Sequence, residues 1–264
     1  MLKVIFICIF LFNLSYSSDK DQMMICDRCH SHNDYMNEFP LLNAIDHGYG
    51  SIEVDIFLHE NSLFVAHYWW MRKKDAKIDN IYLDQLYDIF KNNNGYIYKK
   101  ETPLMLLVDI KSKGNDTYRL LENKLIKYNN MLSYVKRDSI FEGAVTIVLS
   151  GNKPSVELLE KKNKRYVFID GRLSDLGKNI SINMMPIISI DWKDEFQWRG
   201  RGEMSQKDKM HLDELIYQVH LEGKKIRFWG SPDNSISWEV LYKSGVDLIN
   251  TDKVADLYDY MLQK

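Results

Sequence analysis

The sequence predicts an α/β fold of the TIM-type (β/α)8 barrel class, and three observations lead there. The chain has 264 residues and no Pro/Gly-rich linker, repeat or low-complexity tract, so it reads as one domain of about the size such a barrel needs. Short apolar runs alternate with stretches of helical periodicity, the pattern of parallel βαβ units. Polar residues punctuate the ends of those runs, where barrels of this class carry their sites.

The expected strands are Gly50 to Phe57, Leu104 to Ile110, Val145 to Ser150, Tyr166 to Ile169, Ile187 to Ile190, Ile226 to Trp229 and Val246 to Asn250. A first strand, weak in β-formers, ends near Cys29 to His32 and brings the number to eight. Leu212, Leu215, Ile216 and Val219 follow i, i+3, i+4, i+7 spacing, with Gly223 placed to cap that helix. Val254, Leu257, Tyr258 and Met261 repeat the spacing after Thr251, read as an N-cap. Strand number alone leaves a doubly wound open sheet as the alternative.

Residues 1–17 are expected to be a signal peptide. Lys3 precedes an apolar run from Val4 to Phe12, too short to span a bilayer, and Ser15 and Ser17 sit two apart ahead of Asp19. The remainder, 18–264, is then a secreted or periplasmic barrel domain, read as a monomer. Net charge is −2, and Lys3 is the one charged residue among the first 18, so 34 basic residues face 37 acidic ones in the remainder. With no basic excess to neutralise phosphates, no nucleic-acid partner is expected. Cys8 lies within the expected signal, leaving Cys26 and Cys29. No second pair exists for a zinc site, so they read as a short disulfide or two inert thiols.

The chemistry gathers at strand ends. In Gly50 to Phe57 the apolar positions are Ile52, Val54 and Ile56, which turns Glu53 and Asp55 side by side toward the opposite, interior face. Two carboxylates there need a cation or a shared proton. Leu63 to His67 ends in a histidine twelve residues after Asp55, His30 to Tyr35 clusters polar groups after the first strand, and Leu106 to Lys111 ends in Asp109 and Lys111. Glu53, Asp55 and Asp109 are hard oxygen ligands suited to one divalent cation, Mg²⁺ or Ca²⁺. His32 and His67 can serve as general base and acid, and Lys111 adds positive charge for a phosphoryl oxygen.

With those residues in view, the chain resembles the PI-PLC-like phosphodiesterase superfamily, which includes glycerophosphodiester phosphodiesterases and sphingomyelinase D. It is similar in particular to a bacterial branch of combined phosphatidylinositol-specific phospholipase C and glycerophosphodiester phosphodiesterase proteins. The shared tags are His30 to Tyr35, Gly50 to Ile56, Val65 to His67, Ile147 to Pro154, Asp170 to Arg172, Ile226 to Trp229 and Ile249 to Lys253. The resemblance implies His32 and His67 as the catalytic pair and Glu53, Asp55 and Asp109 as metal ligands. It also implies that Lys111 and Trp229 line the substrate site and that Asn33 faces the phosphate or the metal. Two departures bear on substrate: Asn33-Asp34 stands where an Arg-Gly usually follows the first histidine, and Tyr68-Trp69-Trp70 follows His67 where an Asp is common.

The function implied is a secreted, metal-dependent hydrolase of a glycerophosphodiester or phospholipid-type diester, with a cyclic phosphate as a conceivable product and transient contact with a membrane surface. A glycoside hydrolase and a catalytically silent exported binding protein are the alternatives. His30 reads either as a third catalytic histidine or as an orienting neighbour. Trp69, Trp70, Trp192 and Trp198 read as an aromatic lip or as core, and Asp170 with Arg172 as a salt bridge or a substrate contact.

Overall fold

In the computed structural model, which describes residues 23–98 and 102–264, strand alternation separates two apolar layers. Ile52, Val54, Ile56, Leu106, Val108, Ile110, Ile147, Leu149 and Ile169 face outward into one large core shared with the helices. The intervening positions face inward. Leu107, Val148, Phe168, Ile187 and Leu248 form a separate apolar plug, joined by Val135. Glu53, Asp55, Asp109, Asp170 and Arg227 belong to the same inward-facing set.

The elements in order are β1 (Cys26–Ser31), α1 (Leu42–Asp46), β2 (Tyr49–His59), β3 (Ser62–Val65), α2 (Asp84–Asn92), β4 (Leu104–Ile110), α3 (Gly114–Leu125), β5 (Tyr134–Lys136), β6 (Ser139–Phe141), β7 (Val145–Gly151), α4 (Val156–Glu160), β8 (Lys164–Arg165), β9 (Val167–Gly171), β10 (Ile187–Asp191), α5 (Trp192–Glu195), α6 (Gln206–Leu221), β11 (Lys225–Trp229), α7 (Ser235–Ser244), β12 (Ile249–Thr251) and α8 (Val254–Met261). Eight parallel strands run in the order β11-β10-β9-β7-β4-β2-β1-β12. The ring closes where the Leu248 N–H, just before β12, donates to the Ile226 carbonyl of β11 at 3.2 Å. That contact decides between the barrel and the open sheet. All eight expected strands are present.

Two features went beyond or against expectation. A small antiparallel sheet in the order β6-β5-β8 is hydrogen-bonded separately from the barrel strands while its Val135 packs into their plug, and none of its strands was expected. Thr251 is not the N-cap of α8: it is buried in β12, its hydroxyl accepts from the Lys253 N–H, and Lys253 occupies the cap position. The predicted α6 face is buried as expected, with Gly223 just past the helix at φ +68°. Cys26 and Cys29 are joined as a disulfide. The expected signal peptide, residues 1–17, lies outside the described residues. Among those described, no helix is long and apolar enough to cross a membrane.

Candidate active site

Parallel register places the carboxylates. Asp55 of β2 and Asp109 of β4 are direct neighbours across the ladder, and Asp109 is in turn beside Ser150 of β7. One oxygen from each of Glu53, Asp55 and Asp109 lies within 4.8 Å of the others. Lys111 Nζ spans two of them, 2.9 Å from Asp109 Oδ2 and 3.3 Å from Asp55 Oδ2. The Oδ1 atoms of both aspartates are buried without a hydrogen-bond partner. Buried carboxylate oxygens are almost always paired, so two of them in one cluster fit a divalent cation with a hard-oxygen donor set. These three residues can therefore hold a metal ion. The ammonium of Lys111, the group expected to face a phosphoryl oxygen, is held by the two aspartates. Burial lowers its pKa, but Asp55 and Asp109 outweigh that and the net shift is upward. Burial also pushes the Asp55 carboxyl up to about 6, against the opposing pull of Lys111.

Glu53 has a second partner that the sequence did not announce. Arg227, fully buried inside β11, places a guanidinium nitrogen 2.5 Å from Glu53 Oε2, and His30 Nε2 lies 2.9 Å from the same oxygen. Burial alone would raise the Glu53 pKa, yet Arg227 together with His30 and His32 holds it well below the usual carboxylate range. His30 is buried, with Nδ1 2.7 Å from Ser51 Oγ. Desolvation and Arg227 push its pKa down to about 4, which favours the uncharged ring at neutral pH. The orienting reading of His30 is the one this geometry supports.

The two histidines expected to act as acid and base reach the carboxylates from separate loops. β2 runs past the barrel and turns at Glu60 and Asn61, both at positive φ (44° and 58°), the geometry of a two-residue hairpin loop. β3 returns antiparallel, and His67 lands with Nδ1 2.7 Å from Asp55 Oδ2. His32 follows β1, its Nδ1 2.8 Å from Asp252 Oδ1 in the loop after β12. Burial lowers the His32 pKa, but the Asp252 hydrogen bond and the nearby Glu53 charge more than compensate, and the net direction is up. Each ring is thus held through Nδ1 by a carboxylate, which fixes its orientation.

The loop between β1 and α1 is pinned by Asp34. This buried carboxylate accepts from Ser31 Oγ at 2.8 Å, Tyr82 OH at 2.9 Å and the Leu41 N–H at 2.6 Å. Asn33 stands on that turn in the left-handed region, which asparagine tolerates. Its Oδ1 lies 3.0 Å from the Tyr35 hydroxyl, which also sits 2.8 Å from Asp55 Oδ2; the single phenolic proton serves one acceptor at a time. Trp229 stands two residues beyond Arg227 on the same inward-facing side of β11, at the C-terminal rim, and is partly exposed. Asp170 and Arg172 form the salt bridge, 2.7 Å between Oδ2 and the guanidinium, with Ser150 Oγ donating to the same carboxylate oxygen at 2.7 Å.

Gly151 at the end of β7 has φ +64°, and a Cβ there would stand 2.0 Å from Asp109 Oδ1. Gly151→Ala is expected to displace the Asp109 carboxylate and weaken divalent-cation binding by roughly 10- to 100-fold, the range for disturbing a ligand's support. Calorimetric titration of Mg²⁺ and Ca²⁺ into both proteins checks this. Unchanged affinity would mean that Asp109 is not a ligand.

Comparison with known proteins adds a family. Residues 19–170 match the model of the AIM6-like phosphodiesterase domain, a span that contains His32, Glu53, Asp55, His67, Asp109 and Lys111. The chain is 29% identical over 263 aligned residues to "Altered inheritance of mitochondria protein 6" of Eremothecium gossypii, covering 86% of this chain and 68% of that protein. It is 27% identical to the protein of the same name from Saccharomyces cerevisiae strain S288c, covering 85% and 68%. It is 24% identical to the Arthroderma benhamiae homolog, covering 90% and 85%. These relatives are fungal, where the sequence tags had pointed to a bacterial branch; the phosphodiesterase relationship is common to both. The match covers more than half of the chain, which therefore belongs to the AIM6-like phosphodiesterase domain family.

Proposed function

We propose that this protein is a metal-dependent phosphoric diester hydrolase acting on a glycerophosphodiester or phospholipid-type diester. The observation that carries the reading is the cluster of Glu53, Asp55 and Asp109, with two buried unpartnered carboxylate oxygens, approached by two histidines that are each held by a carboxylate. Held by Glu53, Asp55 and Asp109, Mg²⁺ or Ca²⁺ would neutralise charge on the phosphoryl oxygens. His32 and His67 divide the proton work: one accepts the proton of the attacking water or substrate hydroxyl, and the other protonates the leaving alkoxide. Attack by a substrate hydroxyl gives a cyclic phosphate and attack by water gives the open monoester. Arg227, His30 and Ser51 keep Glu53 ionised and oriented, Lys111 keeps Asp55 and Asp109 together, and Asn33 and Trp229 flank the space the diester enters.

The test is a panel of phosphodiesters followed by phosphorus NMR, with and without a chelator. Turnover of at least one diester that disappears on chelation and returns with Mg²⁺ or Ca²⁺ is the expected result. Hydrolysis that persists in chelator refutes the metal assignment, and glycosidic cleavage without any phosphodiester turnover refutes the reaction class. We also propose export to an oxidising compartment, a reading supported by the Cys26–Cys29 disulfide and by the apolar run ahead of Ser15 and Ser17. N-terminal sequencing of protein recovered from the medium, beginning near Ser18, is the check.

A further inference from the structure

The rim beside His67 carries a run of large apolar side chains that the core does not use. Trp69 is 56% exposed, Trp70 64% and Met71 47%, and across the rim Met36 is 66% and Phe39 61% exposed. Tyr68 and Trp70 stack on each other at 4.7 Å and Trp69 meets Trp70 edge-on, so the three rings form one contiguous, largely exposed group. A mainly apolar trough of about 460 Å³ lies between the two sides, lined by Tyr35, Met36, Pro40, Met71 and His67, with Glu38 and Lys73 also on its wall. Contiguous exposed apolar surface of this kind marks a binding face.

Charge identifies the occupant. Between Tyr68 and Lys77 the chain carries Arg72, Lys73, Lys74 and Lys77 against Asp75 alone, and Glu38 is the acidic residue of the opposite loop beside Phe39. Lys73 and Lys74 are exposed, and the Arg72 guanidinium lies 5.0 Å from the Trp69 ring centre. The protein as a whole is weakly acidic, so this basic segment is a local feature. Tryptophan and tyrosine settle at the headgroup level of a bilayer, and lysine and arginine next to them pair with anionic lipid phosphates. A protein partner would account for the apolar part equally well. The pairing of a Tyr68–Trp69–Trp70 aromatic group with a basic flank, beside a trough lined in part by His67, favours lipid.

We propose that the 68–77 loop, with Met36 and Phe39 opposite, docks the barrel mouth on an anionic phospholipid bilayer and brings a lipid diester to His67 along the apolar trough. Docking itself stands apart from the catalytic assignment; only delivery of the diester to His67 rests on the phosphodiesterase reading.

The experiment is sedimentation of the protein with phosphatidylcholine vesicles and with phosphatidylcholine–phosphatidylserine vesicles. Expected are strong partition onto the mixed vesicles, little onto the neutral ones, and weakening as salt is raised. The Trp69→Ala/Trp70→Ala variant should lose at least tenfold in partition, since two exposed aromatic side chains no longer enter the interface. Lys73→Glu/Lys74→Glu should lose roughly fivefold per lysine and its preference for phosphatidylserine. All four side chains are exposed, so unfolding midpoints should match the parent and a folding defect can be told apart. Wild-type protein that sediments with neither vesicle overturns the proposal and leaves the face to a protein partner; variants that bind as well as the parent overturn it too. Vesicle binding with no hydrolysis of any phosphodiester refutes the catalytic reading and keeps docking, and hydrolysis without vesicle binding does the reverse.

Discussion

Arg227→Met should destabilise the barrel by roughly 3–5 kcal/mol, the cost of leaving a buried charge without its partner. The substitution keeps most of the side-chain volume, so little of the loss comes from a cavity. What it leaves behind is Glu53, buried inside the ring and stripped of the guanidinium 2.5 Å away. His30, whose pKa burial and Arg227 together push down to about 4, is the remaining group beside that carboxylate. Urea unfolding of both proteins measures the difference. The double variant Glu53→Gln/Arg227→Met removes both charges and should recover a large share of the loss, as buried ion pairs replaced together often cost little. If single and double variants are equally unstable, the damage is to packing and the ion pair is not what Arg227 supplies.

His32→Ala and His67→Ala should each lower kcat on the active diester by roughly 10²- to 10⁴-fold, the usual worth of a positioned acid or base. Neither ring is part of the core and both are partly exposed, so the unfolding midpoint should move little. The double variant should fall little further than either single one, because acid and base act in one proton-transfer sequence and their losses do not add. Asp252→Asn is expected to cost less, since it weakens the group holding His32 Nδ1 without removing the ring. Steady-state kinetics on the wild type and these variants decides the matter. Full turnover by either alanine variant would remove that histidine from the mechanism.

Some of this arrangement was legible in order along the chain, and the reason is geometric. Side chains on a strand alternate with period two, so Ile52, Val54 and Ile56 on one face place Glu53 and Asp55 on the other whatever surrounds them. Patterning of the same short range, apolar runs for the strands and i, i+3, i+4, i+7 spacing for the helix, located the eight strands and the face of α6. It also placed His32, His67 and Asp109 at strand ends, where a parallel barrel collects them at one mouth. Short-range periodicity, however, is silent about partners.

Arg227 read as one residue of an apolar strand, because its meaning depends on Glu53, 174 positions earlier and across the ring. Asp252 holds His32 over a separation of 220 residues, and only the closure of β12 against β1 and β11 brings them together. The sequence placed Lys111 at a strand end beside Asp109, and only the direct register of Asp55 with Asp109 shows that its ammonium joins the two. Tryptophans could be read as lip or core; the fold buries Trp192 and leaves Trp69 and Trp70 outside.

By itself, then, the amino-acid sequence determined the strand faces, the parallel α/β class and the set of acidic and histidine groups at the strand ends. Those follow from backbone geometry within a few residues. The tertiary structure decided that the sheet closes into a ring, which charge faces which, which histidine is buried against Glu53, and where the apolar rim stands free, because burial and through-space electrostatics exist only once the ring has closed.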